Sequence, residues 1–207
     1  IVKKTKSEAY GFKIGKEFFY NYGIEGYKKI YKLSPNIFLD LKLHDIPNTV
    51  KNALKAILKL KPILTTIHIS GGDEMSKVST KLKKNKTKIL GVTILTSLNS
   101  YQTKKYYNNK NVNQLVKKFA HNAKQNNLDG IVCSPLEITT VRKEVGHKML
   151  IVVPGIRLHK KQINKKDDQK RILTPKEAIN LGADYLVIGR PIVDSNSPLK
   201  ILKEINK

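Results

Sequence analysis

The feature that most restricts the fold of this chain is a regular alternation of short apolar runs with longer segments of helical periodicity. The apolar runs are rich in Ile, Val and Leu, a composition typical of strands that are buried on both faces. Seven such strands are predicted, at Gly11–Gly15, Ile37–Leu43, Ile63–Ile69, Lys88–Leu95, Gly130–Ser134, Leu150–Pro154 and Tyr185–Gly189.

Helices are predicted in the intervals, and several carry start or stop signals such as Thr174-Pro175 and Leu181-Gly182. The predicted helices cover Glu17–Lys32, Asn48–Leu60, Asp73–Lys84, Val112–Asn127, Leu136–Gly146, Pro175–Leu181 and Pro198–Asn206. Strict alternation of strands and helices indicates an α/β fold with a parallel sheet.

The strand count is one short of a (β/α)8 TIM barrel, a fold that takes about 200 residues or more. An open seven-stranded barrel would leave two unpaired strand edges, which natural proteins avoid. We therefore expect a single, N-terminally incomplete (β/α)8-barrel domain over residues 1–207, with its first β-strand missing ahead of Ile1. The polar stretch His159–Lys170 is predicted to be a mobile loop that covers a substrate.

Composition narrows the class of protein further. The chain has 40% hydrophobic and 27% charged residues, as an ordinary globular protein does. Its apolar runs are too short to cross a bilayer, so no membrane partner is expected. The single cysteine, Cys133, excludes an intramolecular disulfide and fits a reducing cytoplasm. Without a cysteine cluster or an HExxH-type pairing, no metal site is expected.

The formal net charge of +24 raises the question of a nucleic-acid partner. The lysines are spread along the whole chain on the polar faces of predicted helices, and aromatic residues are not interleaved with them as in single-strand binders. Such charge supports only salt-sensitive, non-specific attraction. No specific nucleic-acid partner is therefore expected, although the charge would favour capture of an anionic metabolite.

The stretch Asp40–Thr49 places two carboxylates and an ammonium within six residues at the end of an apolar strand. Residues i and i+2 of a strand face the same side, so Asp40 and Lys42 are predicted to project together. Asp45 follows the strand, where Pro47 turns the chain toward a helix. Desolvation offsets much of the attraction between opposite charges in such a place, which favours a working site over a structural ion pair.

Polar residues also follow other predicted strands, at the face where the catalytic groups of such barrels lie. Lys13 lies inside an apolar strand, and Thr96 follows the fourth strand. Arg157 follows the sixth strand, and Gly189-Arg190 follows the seventh. Loops after the last two strands of these barrels commonly bind phosphate, for which arginine supplies a planar fork of donors.

Each of these residues also has a purely structural alternative. Lys13 could extend its ammonium to solvent from a strand end, and Arg157 or Arg190 alone could be a surface arginine. His68 and Cys133 are interpreted as core or strand-end residues without a catalytic role.

Five segments together resemble the orotidine 5′-phosphate decarboxylase family of bacterial type, in order and at compatible spacing along the whole chain. The segments are Phe12–Gly15 around Lys13, Asp40–Thr49, Leu95–Ser97, Pro154–Arg157 and Gly189-Arg190. The Asp-x-Lys-x-x-Asp core is shared with related barrel enzymes, whereas Ile46–Thr49 and the Pro-Gly-Ile-Arg segment narrow the resemblance to the decarboxylase. The resemblance implies release of CO2 from orotidine 5′-monophosphate to form UMP in de novo pyrimidine synthesis, without a metal or organic cofactor.

The resemblance also implies catalytic roles for four residues. Lys42 would protonate the pyrimidine carbon that loses the carboxylate, Asp40 would lie beside the departing carboxylate, and Lys13 would complete the charge array. Asp45, together with the substrate-binding Thr49, would reach into the site of the neighbouring subunit. A homodimer with shared active sites is therefore expected.

The substrate contacts implied by the resemblance lie on the other side of the barrel mouth. Thr96 would contact the pyrimidine, while Arg157, Gln169, Gly189 and Arg190 would hold the phosphate end. One departure is that the family's first strand carries an aspartate that contacts the ribose, and this sequence has no counterpart to it.

Two other functions stay open. One is a related barrel enzyme on sugar phosphates, a 3-keto-gulonate-6-phosphate decarboxylase or a hexulose-phosphate synthase. Those enzymes need a magnesium ion, so sensitivity to EDTA distinguishes them. The other is a basic RNA-associated protein on a decayed barrel, which strongly salt-dependent RNA binding without affinity for UMP analogues would indicate.

Overall fold

The computed structural model describes residues 1–82, 86–158 and 173–207. The strands are β1 (Phe12–Gly15), β2 (Ile37–Leu43), β3 (Leu64–His68), β4 (Lys88–Val92), β5 (Gly130–Val132), β6 (Leu150–Pro154) and β7 (Tyr185–Val187). The helices are α1 (Val2–Thr5), α2 (Lys16–Leu33), α3 (Pro47–Lys59), α4 (Gly72–Thr80), α5 (Ser100–Tyr107), α6 (Val112–Gln125), α7 (Ile138–Val145), α8 (Pro175–Asn180), α9 (Arg190–Val193) and α10 (Pro198–Ile205). The predicted substrate-covering loop, His159–Lys170, lies outside the described residues.

The strands form one parallel sheet in which each strand pairs with the next along the chain. β1 and β7 are the two ends of this order, and they approach each other through aromatic side chains. The ring centroids of Tyr10, which precedes β1, and Tyr185, at the start of β7, lie 5.4 Å apart. The sheet therefore curves into a nearly closed barrel surrounded by helices, which confirms the predicted α/β barrel fold. The eighth strand predicted ahead of Ile1 has no counterpart in the described residues and stays a prediction.

The apolar core has two layers separated by the sheet. The inner layer fills the barrel, and its buried members are the strand side chains Phe38, Leu64, Leu90, Val92, Val132 and Val152. In the outer layer, alternate strand residues such as Ile67 pack against the surrounding helices. Strand residues two apart face the same side, so Asp40 and Thr66, two residues beyond Phe38 and Leu64, also face the barrel interior. The site thus lies above the inner apolar layer, at the carboxyl ends of the strands.

Predicted and observed bounds agree for β2 and β6 and differ elsewhere mainly at element ends. The predicted helix Leu136–Gly146 begins with a 3-10 turn at Pro135–Glu137 and continues as α7. Neither α5 nor the short α9 was predicted. α5 buries only Thr103, so it has no apolar stripe that would reveal helical periodicity. Its start is instead stabilised by a capping box between Asn99 and Gln102.

The longest helix of the described residues, α2, has 18 residues and bends at Gly23, whose φ of 55° interrupts the helical backbone. Most of its aromatic residues lie in its first half and most of its lysines in its second half, and more than half of its residues are exposed. Within the described ranges, no helix is both long enough and apolar enough to cross a membrane.

Candidate active site

Three charged side chains meet inside the barrel at the carboxyl ends of β1 and β2. Asp40 is only 6% exposed, and its Oδ2 accepts a hydrogen bond from Lys42 Nζ at 2.6 Å. Lys13 Nζ lies 3.5 Å from the same oxygen. Both lysine side chains remain partly exposed, so each ammonium borders solvent on one side and the buried carboxylate on the other. The structure therefore brings together three of the four predicted catalytic residues.

A bulge in β2 carries Lys42 into this position. The strand pairs on either side of it are Leu39 with Thr65 and Leu43 with Ile67. Four steps along β2 therefore match two along β3, which leaves two extra residues on β2. Lys42 has a φ of 50°, in the left-handed region that costs a non-glycine residue about 1–2 kcal/mol. Strain of this kind at a charged side chain is typical of functional sites.

Thr66 joins the bulge to the buried carboxylate. The backbone N–H of Lys42 donates to Thr66 Oγ1 at 2.9 Å, and the same hydroxyl donates to Asp40 Oδ1 at 2.9 Å. Burial raises the pKa of the Asp40 carboxyl, but the charges of Lys42 and Lys13 and the hydrogen bonds from Lys42 and Thr66 outweigh burial. The pKa is thereby held below the ordinary aspartate value, so Asp40 is ionised at neutral pH.

Two histidines lie beside this cluster. The ring centroids of His44, just after β2, and His68, at the end of β3, are 5.3 Å apart. Burial lowers the pKa of His68 to about 4, and the charges of His44, Lys42 and Lys16 act in the same direction against that of Asp40. His68 is therefore a neutral neighbour of the charged groups at physiological pH. Its predicted lack of a catalytic role stays a prediction.

The residues predicted to hold a phosphate follow β6 and β7. Gly155 has a φ of 80°, which lets the chain turn directly after β6. Arg157 then lies 6% exposed, and its Nη1 donates to the carbonyl of Ile156 at 3.0 Å. Arg190 is exposed at the start of α9, and a Cβ placed on Gly189 would meet no atom within 4 Å. The backbone at Gly189 therefore borders open space that a ligand can approach.

The other predicted site residues are not part of the buried cluster. Asp45 is exposed, and its Oδ1 accepts a hydrogen bond from the backbone of Ile46 at 2.7 Å. Thr49 is exposed in the first turn of α3, and Thr96 is half-buried in the loop after β4. Gln169 lies outside the described residues.

Thr66 was not predicted as a site residue. A threonine inside a strand needs no functional explanation, because β-branched side chains are common in strands. The available signal was the alternation of β3, which places Thr66 on the same face as the inner-layer Leu64 and as His68. Because β2 is predicted to be the neighbouring strand, Thr66 and Asp40 would lie next to each other on that face.

Comparison with known proteins identifies the family. The sequence profile of the orotidine 5′-phosphate decarboxylase / HUMPS family matches residues 1–205. The orotidine 5′-phosphate decarboxylase of Dictyoglomus thermophilum is 43% identical over 214 residues, which cover 99% of this chain and 86% of that protein. The enzyme of the same name from Wolbachia sp. subsp. Brugia malayi is 47% identical over 187 residues, covering 90% of this chain and 81% of the relative. The crystal structure of orotidine 5′-phosphate decarboxylase from Lactobacillus acidophilus superposes with a TM-score of 0.80 at 36% identity, over 94% of this chain and 84% of that one. As the resemblance predicted, the chain belongs to the orotidine 5′-phosphate decarboxylase / HUMPS family.

Proposed function

We propose that this protein is a carboxy-lyase that releases CO2 from orotidine 5′-monophosphate to form UMP in pyrimidine biosynthesis. The observation that carries the proposal is the cluster of Lys13, Asp40 and Lys42, in which two ammonium groups share one oxygen of a buried carboxylate. Membership of the family and the names of the relatives support the same reaction.

The lysines suit the electronic demand of this decarboxylation. Departure of CO2 leaves an electron pair in the plane of the pyrimidine ring, where the ring cannot delocalise it. Fixed positive charge is then the available means of stabilising the carbanion. Lys42 can supply that charge and then donate its proton to the same carbon, as a general acid. The neutral amine left behind takes a proton from solvent before the next turnover.

Asp40 would lower the barrier to decarboxylation by destabilising the bound substrate. It is ionised and buried, so a substrate carboxylate placed beside it meets a like charge in a poorly solvated site. That repulsion raises the free energy of the bound substrate and disappears as CO2 leaves. Asp40 also holds Lys42 Nζ at 2.6 Å, so that the proton donor stays near the reacting carbon.

The remote phosphate would supply the binding energy that offsets this repulsion. Arg157 and Arg190 would bind the phosphate oxygens, Gly189 would admit them close to the backbone, and Gln169 would complete the grip. Thr96, in the loop after β4, would contact the pyrimidine. The high positive charge of the chain would favour capture of this anionic substrate.

The homodimer with shared active sites belongs to the same proposal. Asp45 and Thr49 are exposed, and Ile46 between them is 67% exposed, as expected of residues that a second subunit would cover. Mixing Lys42→Ala subunits with Asp45→Ala subunits should restore activity in heterodimers that hold one intact site. Verified heterodimers without activity would argue against sharing. We also propose that the reaction takes place in the cytoplasm, since a sequence with one cysteine fits a reducing compartment.

The decisive experiment is an absorbance assay with orotidine 5′-monophosphate in the presence of EDTA. We expect turnover by the wild-type protein and a loss of at least about 10³-fold in Lys42→Ala, while UMP still binds to that variant. Lys77→Ala is the matched control, because Lys77 is an exposed lysine whose one ion pair among the described residues is with Glu74 on the same helix. No turnover by the folded wild-type protein would refute the proposal. Turnover of a sugar phosphate, in place of orotidine 5′-monophosphate, that disappears with EDTA would instead favour the magnesium-dependent sugar-phosphate enzymes.

A further inference from the structure

We infer that Thr66 is a positioning residue, whose hydroxyl sets the relative geometry of Asp40 and Lys42 from the neighbouring strand. The effect on turnover rests on the proposed decarboxylation. The geometric part of the inference does not, because it concerns contacts between two strands of this chain.

The hydroxyl of Thr66 has both of its hydrogen-bonding roles filled by the site. It donates to Asp40 Oδ1 at 2.9 Å and accepts the backbone N–H of Lys42 at 2.9 Å. Thr66 itself is fully buried. One hydroxyl therefore connects the carboxylate that repels the substrate with the backbone that carries the proton donor.

This connection determines which oxygen of Asp40 faces the lysines. Because Thr66 occupies Oδ1, Oδ2 is left for Lys42 Nζ at 2.6 Å and Lys13 Nζ at 3.5 Å. Without the hydroxyl, the carboxylate could rotate and divide its oxygens between the two lysines. The ammonium of Lys42 would then lose the single position in which the protein now holds it.

The same hydroxyl acts on the bulge in β2. The two extra residues of the bulge have no partner in the regular pairing of β2 with β3. The backbone N–H of Lys42, which lies in the bulge, therefore needs an acceptor other than a strand carbonyl. Thr66 Oγ1 accepts that N–H in place of a carbonyl. It thereby supports the left-handed backbone of Lys42, at a φ of 50°.

Thr65 provides a matched control on the same strand. It is also fully buried, but alternation places it on the opposite face of β3. Its Oγ1 has no hydrogen-bond partner among the described residues. Thr65→Val and Thr66→Val therefore remove the same hydroxyl from adjacent buried positions, and only the second substitution removes the contacts to the site.

The experiment compares four proteins: wild type, Thr66→Val, Thr66→Ser and Thr65→Val. Turnover of orotidine 5′-monophosphate gives kcat and KM, and an NMR pH titration of the 13C-labelled Asp40 carboxyl gives a readout that is independent of activity. We expect Thr66→Val to lower kcat about 10- to 100-fold with a smaller change in KM, as for a misplaced catalytic group. We also expect its Asp40 carboxyl to titrate at higher pH. Thr66→Ser and Thr65→Val should behave like the wild type in both readouts.

The two readouts separate the inference from the proposed function. If the wild type turns over the substrate and Thr66→Val matches Thr65→Val in kcat and in the Asp40 titration, the inference is overturned. If the folded wild type does not turn over the substrate, the proposed function fails, and a rise of the Asp40 titration in Thr66→Val alone still supports the positioning role. If the valine variant does not fold, Thr66→Ala and Thr65→Ala give the same comparison.

Discussion

The backbone conformation of Lys42 predicts that glycine is more stabilising than alanine at this position, which is the reverse of the usual order in a strand. Replacing alanine by glycine inside a strand ordinarily destabilises a protein by about 0.5–1 kcal/mol, because glycine is more flexible in the unfolded chain. Lys42 has a φ of 50°, where any residue with a Cβ is strained by about 1–2 kcal/mol. Relief of that strain exceeds the entropic loss, so we expect Lys42→Gly to be more stable than Lys42→Ala by about 1 kcal/mol.

The comparison between these two variants isolates the backbone. Both lose the ammonium that lies 2.6 Å from Asp40, so the cost of leaving that carboxylate with fewer partners cancels in the difference. Both should also lose turnover, because neither retains the proton donor. Free energies of unfolding from urea titrations at about pH 7, with equal slopes, give the difference directly.

Lys88 is the matched control for this prediction. It is also a strand lysine with a carboxylate partner, Asp129 at 3.7 Å, but it is not among the positive-φ residues. Lys88→Gly should therefore be less stable than Lys88→Ala, in the ordinary direction. If glycine destabilises to the same extent at Lys42 and Lys88, the strain assigned to the bulge is absent and the reasoning fails.

Two further predictions concern a histidine beside the site and an arginine at the opposite end of the barrel. In the unfolded chain His68 takes up a proton as the pH falls below the ordinary histidine pKa of 6.5, whereas in the folded protein it does so only at about pH 4. The unfolded state therefore binds more protons between these two values, and the folded protein loses stability as the pH falls through that interval. The full shift corresponds to about 3 kcal/mol, which solvent screening of the partly exposed ring reduces to about 1–2 kcal/mol. His68→Gln should accordingly lose less stability than the wild type between pH 7 and about 4.5, and parallel curves would refute the assignment. The side chain of Arg142 is 10% exposed and donates hydrogen bonds to three backbone carbonyls and to Asp184, just before β6 and β7. Arg142→Met removes these bonds and should lower the free energy of unfolding by about 3 kcal/mol. The folded fraction of that variant should keep the wild-type kcat, since the contacts lie at the amino ends of the strands; a proportional loss of kcat would contradict this separation.

The parts of the fold that the sequence predicted are those with a strong local signal. β6 is a continuous apolar run that ends at a proline, and β2 is an apolar run in which only Asp40 and Lys42 are charged, so the bounds of both strands agree with the prediction. α5 was missed because it packs few apolar side chains and depends on a capping box for its start. α9 is too short for any periodicity.

In the site, too, the contacts between residues close in sequence were predicted, and those between strands were not. Asp40 and Lys42 were predicted to project together because they are two residues apart in one strand, and they are in contact. Lys13 pairs with Phe38 in the register between β1 and β2, so its long side chain must extend along the barrel to reach Asp40. The sequence pattern of one strand does not reveal this register, because the register depends on how β1 and β2, which α2 separates in the sequence, align with each other in the fold.

The sequence by itself determined the parallel α/β architecture and the placement of charge at the carboxyl ends of the strands. Apolar periodicity and the position of a charge within a run are local properties that survive without tertiary contacts. Only the tertiary structure decided the bulge in β2, the left-handed backbone of Lys42 and the role of Thr66. The low pKa of Asp40 was likewise decided there, since it depends on the balance between burial and charges from two strands. Thr66 and Asp40 are 26 residues apart, and their hydrogen bond exists only once β2 and β3 have paired around the extra residues.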